Sequence, residues 1–127
     1  MRTMSVLLVD DDQDTCKMFK MVLDHYHWPL TTLETAESAL NFLQSQSPDV
    51  IVLDIFLPSL DGYQTFAQIR KQGLAPESCI LATTAYYTAD TRQEVQDFGF
   101  AGFLPKPLNA AELVRYIQQL ADRRSMS

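Results

Sequence analysis

Residues Met4–Asp12 read Met-Ser-Val-Leu-Leu-Val-Asp-Asp-Asp, an apolar run followed at once by three aspartates. A short run of valine and leucine predicts a buried β-strand. The carboxylates of Asp10, Asp11 and Asp12 then fall where the chain leaves the core, and like charges this close repel one another. Hard divalent cations such as Mg2+ prefer compact groups of carboxylates, whereas a single aspartate here would serve equally well as a helix cap.

Short apolar runs and amphipathic stretches alternate along the rest of the chain. The runs predict five strands, at Met4–Val9, Leu30–Leu33, Val50–Leu53, Cys79–Thr83 and Ala101–Leu104. The amphipathic stretches predict five helices, at Asp14–His25, Ala36–Gln44, Tyr63–Lys71, Ala89–Phe98 and Ala110–Ala121. Strict alternation implies parallel strands joined by right-handed crossovers, with helices on both faces of the sheet. The predicted fold is therefore a doubly wound α/β domain.

The composition excludes several classes of protein. A length of 127 residues suits a single domain, which we expect to span residues 1–127 with its core at about 4–122. A net charge of −6 argues against nucleic-acid or anionic-membrane binding through bulk electrostatics. No signal peptide or membrane span is recognisable, so the expected location is cytoplasmic. Cys16 and Cys79 are too few for a disulfide framework and are predicted to be small buried residues.

Polar side chains stand at the ends of four of the five predicted strands. Asp10–Asp12 follow the first strand, Asp54 ends the third, Thr84 follows the fourth and Lys106 follows the fifth. A doubly wound sheet places its functional crevice beyond the carboxyl ends of its strands. The sequence therefore brings together acids for a metal, one hydroxyl and one cation, a combination suited to a phosphoryl group.

These residues resemble the receiver domain of two-component response regulators, and the resemblance covers essentially the whole chain. Its elements, in order, are Val9-Asp10-Asp11, Asp54 within Val50–Asp54, the loop Leu57–Gly62, Thr84-Ala85, and Lys106-Pro107. One aspartate pair alone would be weak evidence, but five elements at the right spacing are specific. The resemblance implies a flavodoxin-like (βα)5 fold whose parallel strands lie in the order 2-1-3-4-5.

The resemblance also implies a phosphorylation site. Asp54 would be the phospho-acceptor and would take a phosphoryl group from a phosphohistidine on a partner protein by in-line displacement. Asp11, Asp54 and the backbone carbonyl of Phe56 would bind Mg2+ directly. Asp10 would hold the ion mainly through water, as suits an ion that keeps several waters. The ion would screen the repulsion between the attacking carboxylate and the phosphate.

Three further residues receive roles from the resemblance. Lys106 would pair with the acceptor carboxylate and then with a phosphoryl oxygen, and Thr84 would donate its hydroxyl to another phosphoryl oxygen. Phe103, three residues before Lys106, matches the aromatic switch residue that swings inward when the Thr84 hydroxyl moves toward the phosphate. In the family the bond corresponding to Lys106–Pro107 is cis. Signalling would be a population shift between two packings of one fold.

The family's reporting surface is formed by the fourth helix, fifth strand and fifth helix, here roughly Ala89–Phe98, Ala101–Leu104 and Ala110–Ala121. The implied partners are a sensor histidine kinase or phosphotransfer protein, and a downstream protein or second copy at this surface. Direct binding to nucleic acid or membrane is not expected, nor is turnover of an external substrate. Only Arg123–Ser127 follow the predicted fifth helix, so both a stand-alone receiver and a domain cut from a longer protein fit the sequence.

Two positions carry unusually large side chains. Phe56 lies two residues after the acceptor and Tyr86 two residues after Thr84, at positions that in the family flank the path of hydrolytic water. Aromatic rings there should obstruct water. The sequence therefore predicts a phosphoryl state that loses its phosphate slowly.

Other polar residues have simpler interpretations. Asp12 is predicted to cap the first helix, with Asp14 in its first turn. Asp61-Gly62 is predicted to form a turn that leads into the third helix. His25 and His27, next to Trp28-Pro29, are predicted to be loop and surface residues rather than metal ligands.

Three other functions can be compared with the sequence. A Mg2+-dependent aspartyl phosphatase needs a second acid two residues after its nucleophile, where this chain has Phe56. A flavin- or nucleotide-binding protein of the same fold needs a glycine-rich or Ser/Thr-rich phosphate loop, and none follows the first strand. A receiver that binds partners without being phosphorylated remains open, although every acceptor-site group is present.

Overall fold

The computed structural model describes residues 2–58 and 60–126. Ser59 of the predicted loop motif and the terminal residues Met1 and Ser127 lie outside the described residues. Strands and helices alternate along the described chain, five of each. They are β1 Val6–Val9, α1 Gln13–His25, β2 Leu30–Leu33, α2 Ala36–Phe42, β3 Val50–Asp54, α3 Gly62–Lys71, β4 Cys79–Thr84, α4 Thr91–Phe98, β5 Gly102–Pro105 and α5 Ala110–Met126.

The five strands form one parallel sheet in the order β2-β1-β3-β4-β5. Strand β1 lies between β2 and β3, and Val9 lies opposite Leu33 of β2 and Leu53 of β3. This register aligns the carboxyl ends of β1 and β3, so that the residues following them emerge side by side. The predicted fold class and the strand order are both confirmed.

Each face of the sheet has its own apolar core. Leu8 of β1 faces α1 and α5, where Phe19 and Ile117 are fully buried, whereas Leu7 faces the layer of α2, α3 and α4 with Ile69 of α3. Strands with both faces covered read as continuous apolar runs, which explains the pattern Val-Leu-Leu-Val. Of the two cysteines predicted to be buried, Cys79 is buried but Cys16 is only partly so.

Side-chain caps fix the starts of most helices. Asp12 caps α1 and Thr35 caps α2, each by accepting a backbone N–H of the first turn. Asp61 caps α3 in a reciprocal capping box with Gln64, as the predicted turn at Asp61-Gly62 requires. Asn109 accepts the N–H groups of residues 111 and 112 at the start of α5.

Several boundaries differ from the prediction, and local hydrogen bonds explain the largest differences. β1 begins at Val6 rather than Met4 because the Ser5 N–H donates to the carboxylate of Asp49 instead of a neighbouring strand. α4 begins at Thr91 rather than Ala89. Ahead of it, the Thr91 hydroxyl accepts the Thr88 N–H, a local bond of the kind that competes with helix formation.

Helix α5 extends to Met126, five residues beyond the predicted end at Ala121. The prediction ended the helix at its last apolar residue, but Asp122 and Arg123 are exposed and still helical. Intrinsic helix propensity can extend a helix beyond its apolar face. None of the helices in the described part of the chain has the length and apolar character needed to cross a bilayer.

Helix α5 also lies unusually close to β5. The Tyr116 hydroxyl accepts the backbone N–H of Phe103 at 3.0 Å. A Cβ atom built on Gly102 would stand 2.6 Å from that hydroxyl and 2.7 Å from a methyl carbon of Leu120. A side chain here would displace the Tyr116 hydroxyl, so glycine at position 102 lets Tyr116 reach the strand backbone.

Candidate functional site: an acidic pocket at the carboxyl ends of the strands

Four polar side chains meet at the carboxyl rim of the sheet. Asp10 follows β1, Asp54 ends β3, Thr84 ends β4 and Lys106 follows β5. All four are buried, and the Lys106 N–H donates to the Thr84 carbonyl at 2.9 Å. Buried polar groups are stable only when they are paired, so their mutual contacts decide what this site can do.

Lys106 connects the acidic residues. Its Nζ lies 2.9 Å from Asp10 Oδ2, donates to Asp54 Oδ2 at 3.1 Å and approaches Asp12 Oδ2 at 3.6 Å. Burial would by itself lower the pKa of Lys106, but the nearby carboxylates of Asp10 and Asp54 outweigh burial and raise it. Lys106 is therefore a firmly charged cation at neutral pH, and its peptide bond to Pro107 is cis.

Asp54 is held through both carboxylate oxygens. Oδ1 accepts the Phe56 N–H at 2.9 Å, and Oδ2 accepts from Lys106. The start of α3 lies directly beneath, because a Cβ on Gly62 would be 2.7 Å from the Asp54 carbonyl oxygen and 2.6 Å from Ile55 Cα. The end of β3 and the first turn of α3 thus fix the position of this carboxylate.

Asp10 is fully buried and incompletely satisfied. Its Oδ1 accepts the Asp12 N–H at 2.9 Å. Its Oδ2 is close to Lys106 Nζ, but the direction of that contact does not make a hydrogen bond. Burial raises the pKa of Asp10 to about 6 even though Lys106 acts in the opposite direction. A buried oxygen without a hydrogen bond is a natural ligand for a cation or its water.

Asp10, Asp11 and Asp54 fit the predicted metal site. Each offers a carboxylate oxygen, and these oxygens lie within 4.8 Å of one another. Asp11 is exposed while the other two are buried, so the cluster opens to solvent on one side. Oxygen-only donors with an open side suit Mg2+, which keeps part of its water shell. The contribution of the Phe56 carbonyl stays a prediction.

Asp12 caps helix α1, as predicted. Its Oδ1 accepts the Asp14 N–H at 3.1 Å, and its Oδ2 accepts the Thr15 hydroxyl at 2.7 Å. The hydrogen bond from Thr15 is the main reason that the pKa of Asp12 is lowered. The three consecutive aspartates therefore have different environments, and only Asp10 and Asp11 belong to the acidic cluster.

The predicted switch residues are both buried. The Thr84 hydroxyl accepts the N–H of Tyr86 at 3.0 Å, which holds it in its own loop. Phe103 is 4% exposed and contacts the ring of Tyr87 and the guanidinium of Arg92. The structure thus places Phe103 inside the molecule, and its role as a switch stays a prediction.

Sequence reasoning missed Tyr87, Arg92 and Tyr116 around the site, and it assigned Gly62 only to the loop motif and a turn. A glycine immediately after a helix cap is a usable signal of close approach, since only glycine tolerates backbone at such distances. The other three act through contacts between distant elements. No local pattern marks such contacts in a single sequence.

Comparison with known proteins agrees with this geometry. The sequence profile of the response regulator receiver domain matches residues 6–118. The chain is 32% identical over 116 residues to an uncharacterized 14.6 kDa protein from the sodA1 3′ region of Leptolyngbya boryana, covering 91% of this chain and 88% of that protein. It is 30% identical over 118 residues to the response regulator MprA of Mycolicibacterium vanbaalenii, covering 93% of this chain but only 50% of that regulator.

Solved structures show the same relationship. The receiver domain of the Francisella response regulator 1452 superposes with a TM-score of 0.84 at 26% identity, over 95% of this chain and 98% of that one. The receiver domain of the sensor histidine kinase PA1611 from Pseudomonas aeruginosa, which has a magnesium ion in its active-site cleft, gives 0.83 at 28% identity, over 95% and 99%. The fold, the acidic rim and the profile match together assign this chain to the response regulator receiver domain family of two-component signalling.

Proposed function

We propose that this chain is a phosphoacceptor module in which Asp54 takes a phosphoryl group from a phosphohistidine of a histidine kinase or phosphotransfer protein. The observation that carries the proposal is the contact of Lys106 Nζ with Asp54 Oδ2 at 3.1 Å, beside the oxygens of Asp10 and Asp11. A nucleophilic carboxylate, a fixed cation and acidic metal ligands are the groups that phosphoryl transfer requires.

The chain's own residues prepare Asp54 for attack. The Phe56 N–H and the Lys106 ammonium hold its two oxygens, which fixes the direction of the carboxylate. One oxygen forms the new bond to phosphorus. The bond between phosphorus and the imidazole nitrogen breaks, and its electron pair returns to the imidazole. Positioning of this kind lowers the entropic part of the barrier.

Receiver domains bind Mg2+ at their acidic site, and here Asp10, Asp11 and Asp54 would hold the ion, together with the Phe56 carbonyl. When bound, Mg2+ supplies positive charge that offsets the repulsion between carboxylate and phosphate. Lys106 then supports a phosphoryl oxygen as a second cation. Thr84 exchanges its bond to the Tyr86 N–H for a bond to the phosphoryl group.

The output would be read at the face formed by α4, β5 and α5. Receiver domains act through kinases and downstream effectors, and a downstream protein or a second copy of this chain is the partner expected at this face. The chain acts as one domain over residues 1–127, works in the cytoplasm, and contacts neither nucleic acid nor membrane directly. It assists its own phosphorylation and dephosphorylation but turns over no external substrate.

The direct test is incubation with a small phosphodonor and Mg2+, followed by intact-mass measurement. The wild type should gain one adduct of about 80 Da, the mass of a phosphoryl group. Asp54→Ala should gain none, and Asp97→Asn, an exposed aspartate of α4, should behave as the wild type. Absence of the adduct on the wild type, or its persistence in Asp54→Ala, would refute the proposal. Steady hydrolysis of a phosphomonoester would point instead to a phosphatase.

A further inference from the structure

Two neighbouring side chains, Tyr87 and Arg92, contact the buried ring of Phe103. Tyr87 meets it edge to face, with centroids 5.8 Å apart and an interplanar angle of 76°. The Arg92 guanidinium lies over the same ring, with Cζ 5.4 Å from the centroid. Tyr87 is 47% exposed and Arg92 is also exposed, whereas Phe103 is 4% exposed. The two outer side chains therefore cover the inner one.

The contacts suit the electronic character of an aromatic ring. A ring face carries negative charge density and attracts a guanidinium, and ring edges carry positive density that favours an edge-to-face neighbour. Tyr87 comes from the loop before α4, and Arg92 from the first turn of α4. The two contacts thus connect β5 to α4 and to the loop before α4.

The backbone of Phe103 is held from the other side. Its N–H donates to the Tyr116 hydroxyl of α5, which approaches the strand next to Gly102, where a side chain would displace it. Ring and backbone are thus restrained by separate elements. Neither Asp54 nor the Thr84 hydroxyl takes part in these contacts.

The adjacent residues Tyr86 and Tyr87 contact different parts of the molecule, one near the acceptor and the other at Phe103. Tyr86 packs against Phe56, and its N–H donates to the Thr84 hydroxyl. Tyr87 packs against Phe103. The acceptor side and the switch ring therefore meet at one dipeptide but through different side chains, which makes the two sets of contacts separable by mutation.

We propose that Tyr87 and Arg92 are positioning residues that keep Phe103 buried independently of the state of Asp54. The face formed by α4, β5 and α5 is then arranged for its partner before phosphorylation, and phosphorylation adds only a modest further bias. This inference deepens the proposed function and rests on it for the meaning of the face. The burial of the ring itself can be measured without any phosphoryl transfer.

The test is 19F NMR on the full chain labelled with 4-fluorophenylalanine, without phosphodonor, with a neutral gadolinium chelate as the probe of solvent exposure. The chain has seven phenylalanines, and Phe103→Leu identifies the Phe103 resonance. Phe19, fully buried, and Phe98, 46% exposed, are internal references. In the wild type the Phe103 signal should be broadened as little as that of Phe19.

Tyr87→Leu and Arg92→Gln should each increase the broadening of the Phe103 signal by about fivefold, as expected when one ring contact is lost. Arg92→Lys should restore most of the protection because the charge is kept. Tyr86→Leu and Arg115→Gln, which alter side chains outside the Phe103 contacts, should leave the signal unchanged. A Phe103 signal as broadened as that of Phe98 in the wild type would overturn the inference. So would equal effects of Tyr87→Leu, Arg92→Gln and the two controls Tyr86→Leu and Arg115→Gln.

The two proposals fail in different experiments. Loss of the mass adduct with a protected Phe103 signal would refute phosphorylation and leave the ring contacts established. A normal adduct with an exposed Phe103 would support phosphorylation and refute the role of Tyr87 and Arg92.

Discussion

Phe56 and Tyr86 stand edge to face at the rim, with ring centroids 5.8 Å apart and planes at 89°. Both rings are largely exposed, at 55% and 76%. Phe56 follows the acceptor by two residues and Tyr86 follows Thr84 by two, so the pair joins the loops that border Asp54. Two large and largely exposed rings beside a polar pocket serve better as a barrier to water than as part of the core.

We expect this pair to slow loss of the phosphoryl group by excluding water. Phe56→Asn and Tyr86→Ala should each speed autodephosphorylation by about tenfold, which corresponds to about 1.4 kcal/mol of barrier. The decay of the mass adduct after removal of the donor measures the rate. Tyr26→Ala, an exposed tyrosine after α1, is the control, and equal decay in all proteins would show that the rings shield nothing.

Lys106→Met should be costly because it leaves Asp10 and Asp54 buried beside each other without a cation. Removing one partner of a buried ion pair costs about 3 kcal/mol or more. Mg2+ should stabilise the variant more than the wild type, since the ammonium no longer competes for the carboxylates. Thermal unfolding with and without Mg2+ measures both effects.

The matched control is Lys20→Met. Lys20 pairs with Asp24 at 3.0 Å on the surface of α1, where its side chain is 73% exposed. Such pairs contribute less than about 1 kcal/mol. A similar loss in both variants would contradict the importance assigned to Lys106.

The raised pKa of Asp10 predicts a pH dependence of stability. The folded protein binds this proton more tightly than the unfolded chain, because burial raises the pKa from an ordinary 3.8 to about 6. The stabilising contribution is complete below the lower value and is lost as pH rises through about 6. Asp10→Asn should therefore be stabilising at pH 7, by up to about 3 kcal/mol, and nearly neutral near pH 4.

Urea unfolding of wild type and Asp10→Asn across this range measures the difference, with Asp97→Asn as an exposed control. If the difference between wild type and Asp10→Asn does not change with pH, the assigned titration is wrong. Mg2+ binding should show the opposite trend and strengthen as pH rises, since a protonated carboxyl is a poor ligand.

Gly62→Ala should damage the site although it lies outside it. The added Cβ would meet backbone atoms of Asp54 and Ile55 at less than 3.0 Å, so the acceptor strand or α3 must move. We expect a loss of about 2 kcal/mol in stability together with slower adduct formation. Gly73→Asn is the control, because that glycine has φ +66° with open space around it, a conformation that asparagine tolerates. Normal phosphorylation of Gly62→Ala would contradict the predicted displacement.

Much of the site could be predicted because strand ends are visible in sequence. The apolar run before Asp10 and the run ending in Asp54 mark two neighbouring strands, and parallel strands bring their carboxyl ends together. The strand order came from the family resemblance rather than from the residues. The capping role of Asp12 was predicted from the preference for aspartate before a helix, whereas the role of Asp10 came from the resemblance.

The remainder depended on contacts that no local pattern encodes. The start of α4 is decided by hydrogen bonds between Thr88 and Thr91, which oppose the helical preference of the sequence before them. Whether Tyr86 or Tyr87 faces the acceptor depends on the path of one loop. The unsatisfied oxygen of Asp10 depends on the angle at which Lys106 enters the pocket.

The bond from Phe103 to Tyr116 has a consequence for how this protein avoids aggregation. β5 is an edge strand of the sheet, and the Lys106 N–H points inward to β4. Backbone N–H and C=O groups of successive residues point to opposite sides of a strand, so those of Phe103 and Pro105 point outward. The Phe103 N–H already donates to the Tyr116 hydroxyl, and Pro105 has no N–H. Strand addition is therefore disfavoured here, because an incoming strand would find no free N–H donor at either residue. A partner at this face is left with side chains and carbonyl oxygens to recognise.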